Sequence, residues 1–368
     1  MIKKLLAVFL VSGLKVSYLY GQTTFAGLEH LFTKPKQYQA IYTAGKPVID
    51  GDINDPVWQS VPWTEQFTDI EGDKQPKPTW ATRVKLIWSD SALFIAAELD
   101  EPHVWATLKQ HDEIIYQDND FEVFIDPDQN THQYFEIEVN AINTIFDLLL
   151  PKPYRNGGDA MISWHVDKLR SAVKVNGTLN NPSDIDKGWT VEMAIPFWAL
   201  TIGNNLTVPA DGTLWRINFS RVEWDTDIQN GKYVKRKDAN GRNLPEHNWV
   251  WSPQGVINMH YPERWGYLQF VRTITSSGSI VLPYAEQQKR YLWLIYYRQK
   301  QYHEKYGKYA THVSDLQFTS SQVIIDKQTN KLHIEATTHQ FMGTIQGRDK
   351  ILWCINQDGF VQKIPQTH

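Results

Sequence analysis

The stretch from Gln117 to Leu150, QDNDFEVFIDPDQNTHQYFEIEVNAINTIFDLLL, decides how this chain is read. Phe121, Val123 and Ile125 alternate with Glu122, Phe124 and Asp126, and Phe135, Ile137 and Val139 alternate with Glu136, Glu138 and Asn140. Apolar residues at every second position mark strands with one buried face. Successive side chains point to opposite faces of a sheet, so suitable pairing of the two strands puts Glu122, Glu136, Glu138 and Asn140 on one surface. Such a row of carboxyl and amide groups suits a wall that binds polyols.

The 368 residues suffice for a large domain and a smaller one. The 37 basic and 41 acidic residues leave a net charge of -4, which gives no footprint for a nucleic-acid partner. The 15 Trp, 17 Tyr and 15 Phe are unusual. Aromatic rings fill β-sandwich cores and also stack on the C–H faces of sugars, and most of this number must be core.

The N-terminus has Lys3 and Lys4, then an apolar run from Leu5 to Leu14, then a cleavable Gly21–Gln22 junction. This order is that of a secretory signal peptide over residues 1–21, with an uncleaved anchor as the alternative. The run is too short for a spanning helix, and nothing later in the chain is long and apolar enough to cross a membrane. The expectation is a secreted or periplasmic protein. Cys354 is the lone cysteine, which excludes an intrachain disulfide and lipid attachment at the signal-peptide junction.

After a polar lead-in over residues 22–40, VIDGDINDPVWQSVPW opens the first domain. Asp55 before Pro56 reads as a capped helix start. RVKLIW and LFIAAEL around the turn SDSA read as a hairpin. Further strands are expected at Phe121–Ile125, Gln133–Asn140, Thr144–Leu150, Trp189–Ile195, Leu214–Val222, Trp249–Trp251 and Gly266–Val271. The pattern predicts a mainly β fold, an antiparallel, jelly-roll-like β-sandwich over residues 41–272. A small polar linker follows at 273–282, then an α+β extension at 283–368. There, Tyr291, Leu292, Ile295, Tyr302 and Tyr306 make one stripe of a long helix.

Seven segments, VIDGDINDPVW, IWSDSALFIAAEL, QDNDFEVFIDPD, EVNAINTIFDLLL, VEMAIPFWAL, LWRINFSRVEW and WSPQGVINMHYPERWGYLQF, resemble carbohydrate-binding module family 9 in their order, over about Ile41 to Val271. The resemblance implies a sugar-binding sandwich, attached in many members to plant-polysaccharide hydrolases and holding calcium in some. In that family two tryptophans sandwich a terminal sugar, and the matching positions here are Tyr116 and Met259. The family's strand carboxylate falls at Glu122, its amide at Asn140 and its arginine at Glu138. Exchanging an arginine for a glutamate turns a donor-rich site into an acceptor-rich one, so either the ligand differs or the site is lost. Trp105, Trp164, Trp224 and Trp249 are candidates for a relocated stacking platform.

Asp50, Asp52 and Asp55 offer oxygens at a spacing that suits calcium, or else form an Asx-rich turn. Asp118, Asp120, Asp126 and Asp128 form a second acidic group with the same two readings, a calcium site or a solvated turn. The histidines show no metal-ligand spacing, with His103, His111 and His132 scattered among turns. Three function classes remain: non-catalytic binding of saccharide ends, a cell-envelope scaffold whose helix near Tyr291 to Tyr306 contacts a partner, and glycosidic-bond hydrolysis by Glu136 and Glu138 or by an associated hydrolase.

Overall fold

The computed structural model describes residues 24–202, 208–273 and 280–365. The expected signal peptide and most of the expected linker lie outside the described residues. No described helix is long and apolar enough to cross a membrane.

The first strands are β1 (Gln37–Tyr42), β2 (Thr68–Asp69), β3 (Thr82–Trp88) and β4 (Ala92–Asp100), with the short helix α1 (Pro56–Gln59) after β1. Then come β5 (Asp120–Asp126), β6 (Tyr134–Asn140), β7 (Ile145–Leu150), β8 (Arg170–Asn176) and β9 (Gly188–Pro196). β10 (Leu214–Glu223), the hairpin β11 (Thr226–Gln229) and β12 (Lys232–Lys235), β13 (His247–Val250) and β14 (Gly266–Val271) complete this part. All but β11 and β12 belong to one twelve-stranded sheet, whose main path runs β7-β6-β5-β10-β14-β1-β3-β4-β9-β8. The sheet curls over a core that includes Phe121, Val123, Ile125, Phe135, Ile137 and Val139, the apolar positions whose alternation marked the hairpin. Trp88, Trp189, Trp215 and Trp251 are almost wholly buried there.

Two features depart from the expected layout. The polar lead-in contributes to the sandwich: its residues 37–40 belong to β1, which runs parallel to both β14 and β3, so the sheet is not antiparallel throughout. α1 does begin at Pro56, but the Asp55 carboxylate accepts from the Val48 amide at 3.1 Å and makes no cap bond.

The C-terminal unit places α2 (Tyr284–Tyr306) against a five-stranded antiparallel sheet of β15 (Gln322–Ile325), β16 (Gln328–Ala336), β17 (Phe341–Gln346), β18 (Leu352–Asn356) and β19 (Val361–Ile364). Gly343 permits the close approach, since a Cβ there would lie 2.8 Å from Ile295. The helix exceeds its expected stripe, because every residue from Leu292 to Gln299 is buried. Its second face meets the sandwich. Tyr296 donates to Asn156 Oδ1 at 2.7 Å, Tyr297 bonds Glu263, and Arg216 pairs with Glu286 at 3.2 Å. The helix expected to present a partner surface has spent its middle two turns inside this chain.

Candidate functional site

The register of the hairpin builds the floor of an open cleft. Glu122 lies directly across from Glu138, Glu136 from Phe124, and Ser220 of β10 from Glu122. On the far side Glu138 is opposite Phe146 and Glu136 opposite Leu148 of β7. Directly opposed side chains share a face, so the carboxyl groups are flanked by the apolar cluster of Phe124, Tyr134, Phe146, Leu148, Met259 and Trp265. The cleft holds about 570 Å³, within the range of ligand pockets. Ile114, Ile162 and Ile257 form an exposed apolar rim, and Glu246, Asn248 and Asn258 add polar groups.

Two tyrosines stand at its sides. Tyr116, on a single turn at Ile115–Gln117, is 38% exposed, and its backbone amide donates to Glu138 Oε2 at 3.0 Å. Tyr154, 43% exposed, stands on the turn Tyr154–Asn156 with its ring edge-on to His260 at 4.5 Å. That turn closes through Gly157 at φ 76°, a left-handed conformation that costs glycine little. The neighbouring residues Arg155 and Asn156 anchor the turn to Glu263 and Tyr296. The C-terminal unit thereby holds the segment that carries one wall of the cleft.

The electrostatics follow from burial. Glu122, Glu136 and Glu138 are each at most 5% exposed. Desolvation pushes the Glu122 carboxyl up to about 7. It raises Glu136 and Glu138 well above the usual range, with Glu122 adding to both. Burial, and then the Glu136 and Glu138 charges, push the Tyr154 hydroxyl up to about 12. Burial and Arg155 hold His260 down to about 4, so its ring is neutral at pH 7. Beside Glu122 on the same face, Asp120 is wholly buried; one oxygen accepts from the Val222 amide and the other has no hydrogen-bond partner. Asp120, Glu122 and Glu138 each bring one oxygen to within 4.8 Å of the others, an arrangement that needs protons, a cation or ligand donors between them. Partly protonated carboxyls both donate and accept, as sugar hydroxyls do.

Of the residues that the sequence singles out, Tyr116, Glu122, Glu136, Glu138 and Met259 line the cleft. Met259 is 8% exposed and belongs to the apolar cluster that flanks the carboxyls. Asn140 does not reach the cleft. Its Nδ2 donates to Leu108 O and Asp118 Oδ2, and its Oδ1 accepts from the Ile142 and Thr144 amides. The strand ends at Asn140, and its side chain serves the following turn instead. Trp105, Trp224 and Trp249 are buried, and Trp164 packs on Phe135, so none forms a platform in the cleft. Tyr154 and Glu246 escaped the sequence reading. A tyrosine in the Pro- and Gly-rich turn PKPYRNGG was the available signal for the first.

The two acidic groups have different outcomes: the first forms the Asx-rich turn, one of its two expected readings, whereas Asp118 and Asp126 of the second are buried. Asp50 and Asp52 accept from backbone amides in the turn, and Asp52 meets Lys174 Nζ at 2.8 Å. Lys174 holds the Asp52 carboxyl down to about 2. The carboxylate groupings with metal-ligand convergence among the described residues lie elsewhere. Asp118 and Asp126 are not in solvated turns. Both are buried, Asp118 accepting from the Thr107 and Leu108 amides and Asp126 from Gln129 and Thr131.

A curled β-sheet with an open cleft floored by polar groups, flanked by tyrosines and rimmed by apolar residues places the protein in the β-sandwich class. Residues 49–270 match the model of the carbohydrate family 9 binding domain-like family, and the chain belongs to that family. No curated protein sequence matches the chain. Among solved structures it is similar to a carbohydrate binding module family 9 from Caldicellulosiruptor kristjanssonii in complex with cellotriose, at 18% identity and a TM-score of 0.42, over 67% of this chain and 100% of that one. The same organism's family 9 module in complex with glucose is similar at 19% identity, with the same TM-score and the same shares covered.

Proposed function

We propose that the protein binds the end of a neutral mono- or oligosaccharide, without catalysis, in the cleft between Tyr116 and Tyr154. The observation that carries this reading is the floor itself, where Glu122, Glu136 and Glu138 face a donor-rich ligand while Tyr116, Tyr154 and the isoleucine rim offer apolar contact to C–H faces. No Lys or Arg is among the residues lining the cleft, so anionic sugars are disfavoured. The basic and apolar leader, Met1 to Gly21, supports a role outside the cytoplasm.

Buried carboxyls with raised proton affinity are also the raw material of general acids. Glu136 and Glu138, the pair that hydrolysis would call on, are however both buried with raised proton affinity, so neither is held as the ionised nucleophile or base that a glycosidase needs beside its acid. Binding is therefore the favoured reading.

Affinity electrophoresis of wild type and Tyr154→Ala through gels containing soluble glucans, xylans or pectins tests it. Retardation of the wild type by at least one polymer, relieved in the variant, is the expected result. Equal mobility in every gel would reject the site. Release of reducing sugar by the purified chain, lost in Glu136→Gln, would replace binding with hydrolysis.

A further inference from the structure

Away from the cleft floor, four side chains converge at the outer edge of β7. His111 Nε2 lies 3.2 Å from His165 Nδ1 and 3.5 Å from both Asp147 Oδ1 and Asp112 Oδ1. His165 Nδ1 lies 3.4 Å from Asp147 Oδ1 and 4.0 Å from Asp112 Oδ2. One ligand atom from each of the four residues falls within 4.8 Å of the others.

Three observations give the cluster a chemistry. First, His111 Nδ1 is 2.9 Å from Ile145 O. A carbonyl only accepts, so Nδ1 carries the proton, and in the neutral ring the Nε2 lone pair points into the cluster. This is the outer hydrogen bond that orients metal-ligating histidines. Second, a tetrahedral zinc ion with bonds of about 2.0–2.1 Å needs its ligand atoms about 3.3 Å apart, and the shortest separations here bracket that value. Third, Asp147 is almost wholly buried and fixed by the Val166 amide on its other oxygen, while Asp112 Oδ1 has no hydrogen-bond partner. Two imidazoles with two carboxylates suit zinc or a neighbouring first-row ion, whereas calcium takes oxygen ligands.

We propose that His111, Asp112, Asp147 and His165 form a zinc-class metal site. The ligands come from three segments, the loop leading to Ile114 and Tyr116, strand β7, and the loop that follows Ile162. The ion cross-links both rims of the cleft to the edge strand. Sequence spacing could not show this, since 54 residues separate the two histidines.

The test is calorimetric titration of zinc into the tag-free chain with no saccharide present, with cobalt as a visible probe. One equivalent bound, with the intense ligand-field bands of four-coordinate cobalt, is expected. His111→Ala and His165→Ala should each weaken zinc by about 100-fold or more. Both side chains are about half exposed, so folding should survive, and circular dichroism checks it. No saturable zinc binding, or wild-type affinity in the double variant, would overturn the proposal and leave the cluster as a hydrogen-bonded network. Because no sugar takes part, this outcome is independent of the cleft's function.

Discussion

The run Asp50-Gly-Asp52-Ile-Asn54-Asp55 and the run from Asp118 to Glu138 are both rich in carboxylates, and the fold gives them opposite fates. In the first, solvent, turn amides and Lys174 favour the charged form, and the Asp52 carboxyl is held down to about 2. In the second, the sheet withdraws the carboxyls from water and crowds them together, and Glu122 is pushed up to about 7. Equal residue types become a stable turn in one place and a frustrated, ligand-seeking surface in the other. Partner and burial decide the outcome, and neither is a property of local sequence.

The largest expected effect separates structure from function inside the buried row. Asn140→Ala orphans the Ile142 and Thr144 amides and removes a partner of Asp118. It should cost on the order of 3 kcal/mol in urea denaturation. A loss of sugar affinity with stability unchanged would instead return Asn140 to the binding site.

Glu138→Gln should act in the opposite direction on stability. A carboxyl whose proton affinity is raised by folding keeps more protons in the folded state, so each rise in pH through that range costs stability. For Glu122 the loss runs from about its ordinary 4.5 to 7, and Glu136 and Glu138, raised in the same direction, add to it. His132 and His260, both held down to about 4, oppose this slope only below about their ordinary 6.5. Melting temperature should therefore fall as pH rises through about 7, and less steeply in Glu138→Gln. At pH 8 that variant should be more stable than wild type by on the order of 1–2 kcal/mol in the absence of ligand. Parallel pH profiles would contradict the burial argument.

Tyr297→Phe sharpens the comparison at longer range. It removes a bond to Glu263, which also holds Arg155 beside Tyr154. A stability loss of about 1 kcal/mol is expected, with a several-fold loss of saccharide affinity measured by fluorescence titration. Asp52→Asn should be the quietest change, with unaltered melting and unaltered sugar affinity despite the loss of a 2.8 Å ion pair, because that pair is exposed.

The hairpin's faces were legible because a two-residue period is local, and the alternation of Phe121 to Ile125 with Glu122 and Phe124 survives folding intact. That Glu122, Glu136 and Glu138 share a surface was legible for the same reason. Asn140 misled because parity assigns a face but not the end of the strand, where the chain turns and the side chain is captured. Tyr154, Glu246 and the pair His111 and His165 were hidden, since loops distant in sequence bring them to their places. In α2 the stripe predicted one packed face. Only the arrival of the sandwich at Tyr296 and Tyr297 explains the second.

The most direct measurement is calorimetric titration of glucose and short cello- and xylo-oligosaccharides into wild type, Glu122→Gln and Asp52→Asn under one buffer. Saturable heat in wild type and Asp52→Asn, with affinity at least about 10-fold weaker in Glu122→Gln, about 1.4 kcal/mol, is the predicted result. Equal affinity in all three proteins, or silence across the whole panel, would contradict the claim that the buried acidic floor is the part of this molecule that recognises sugar.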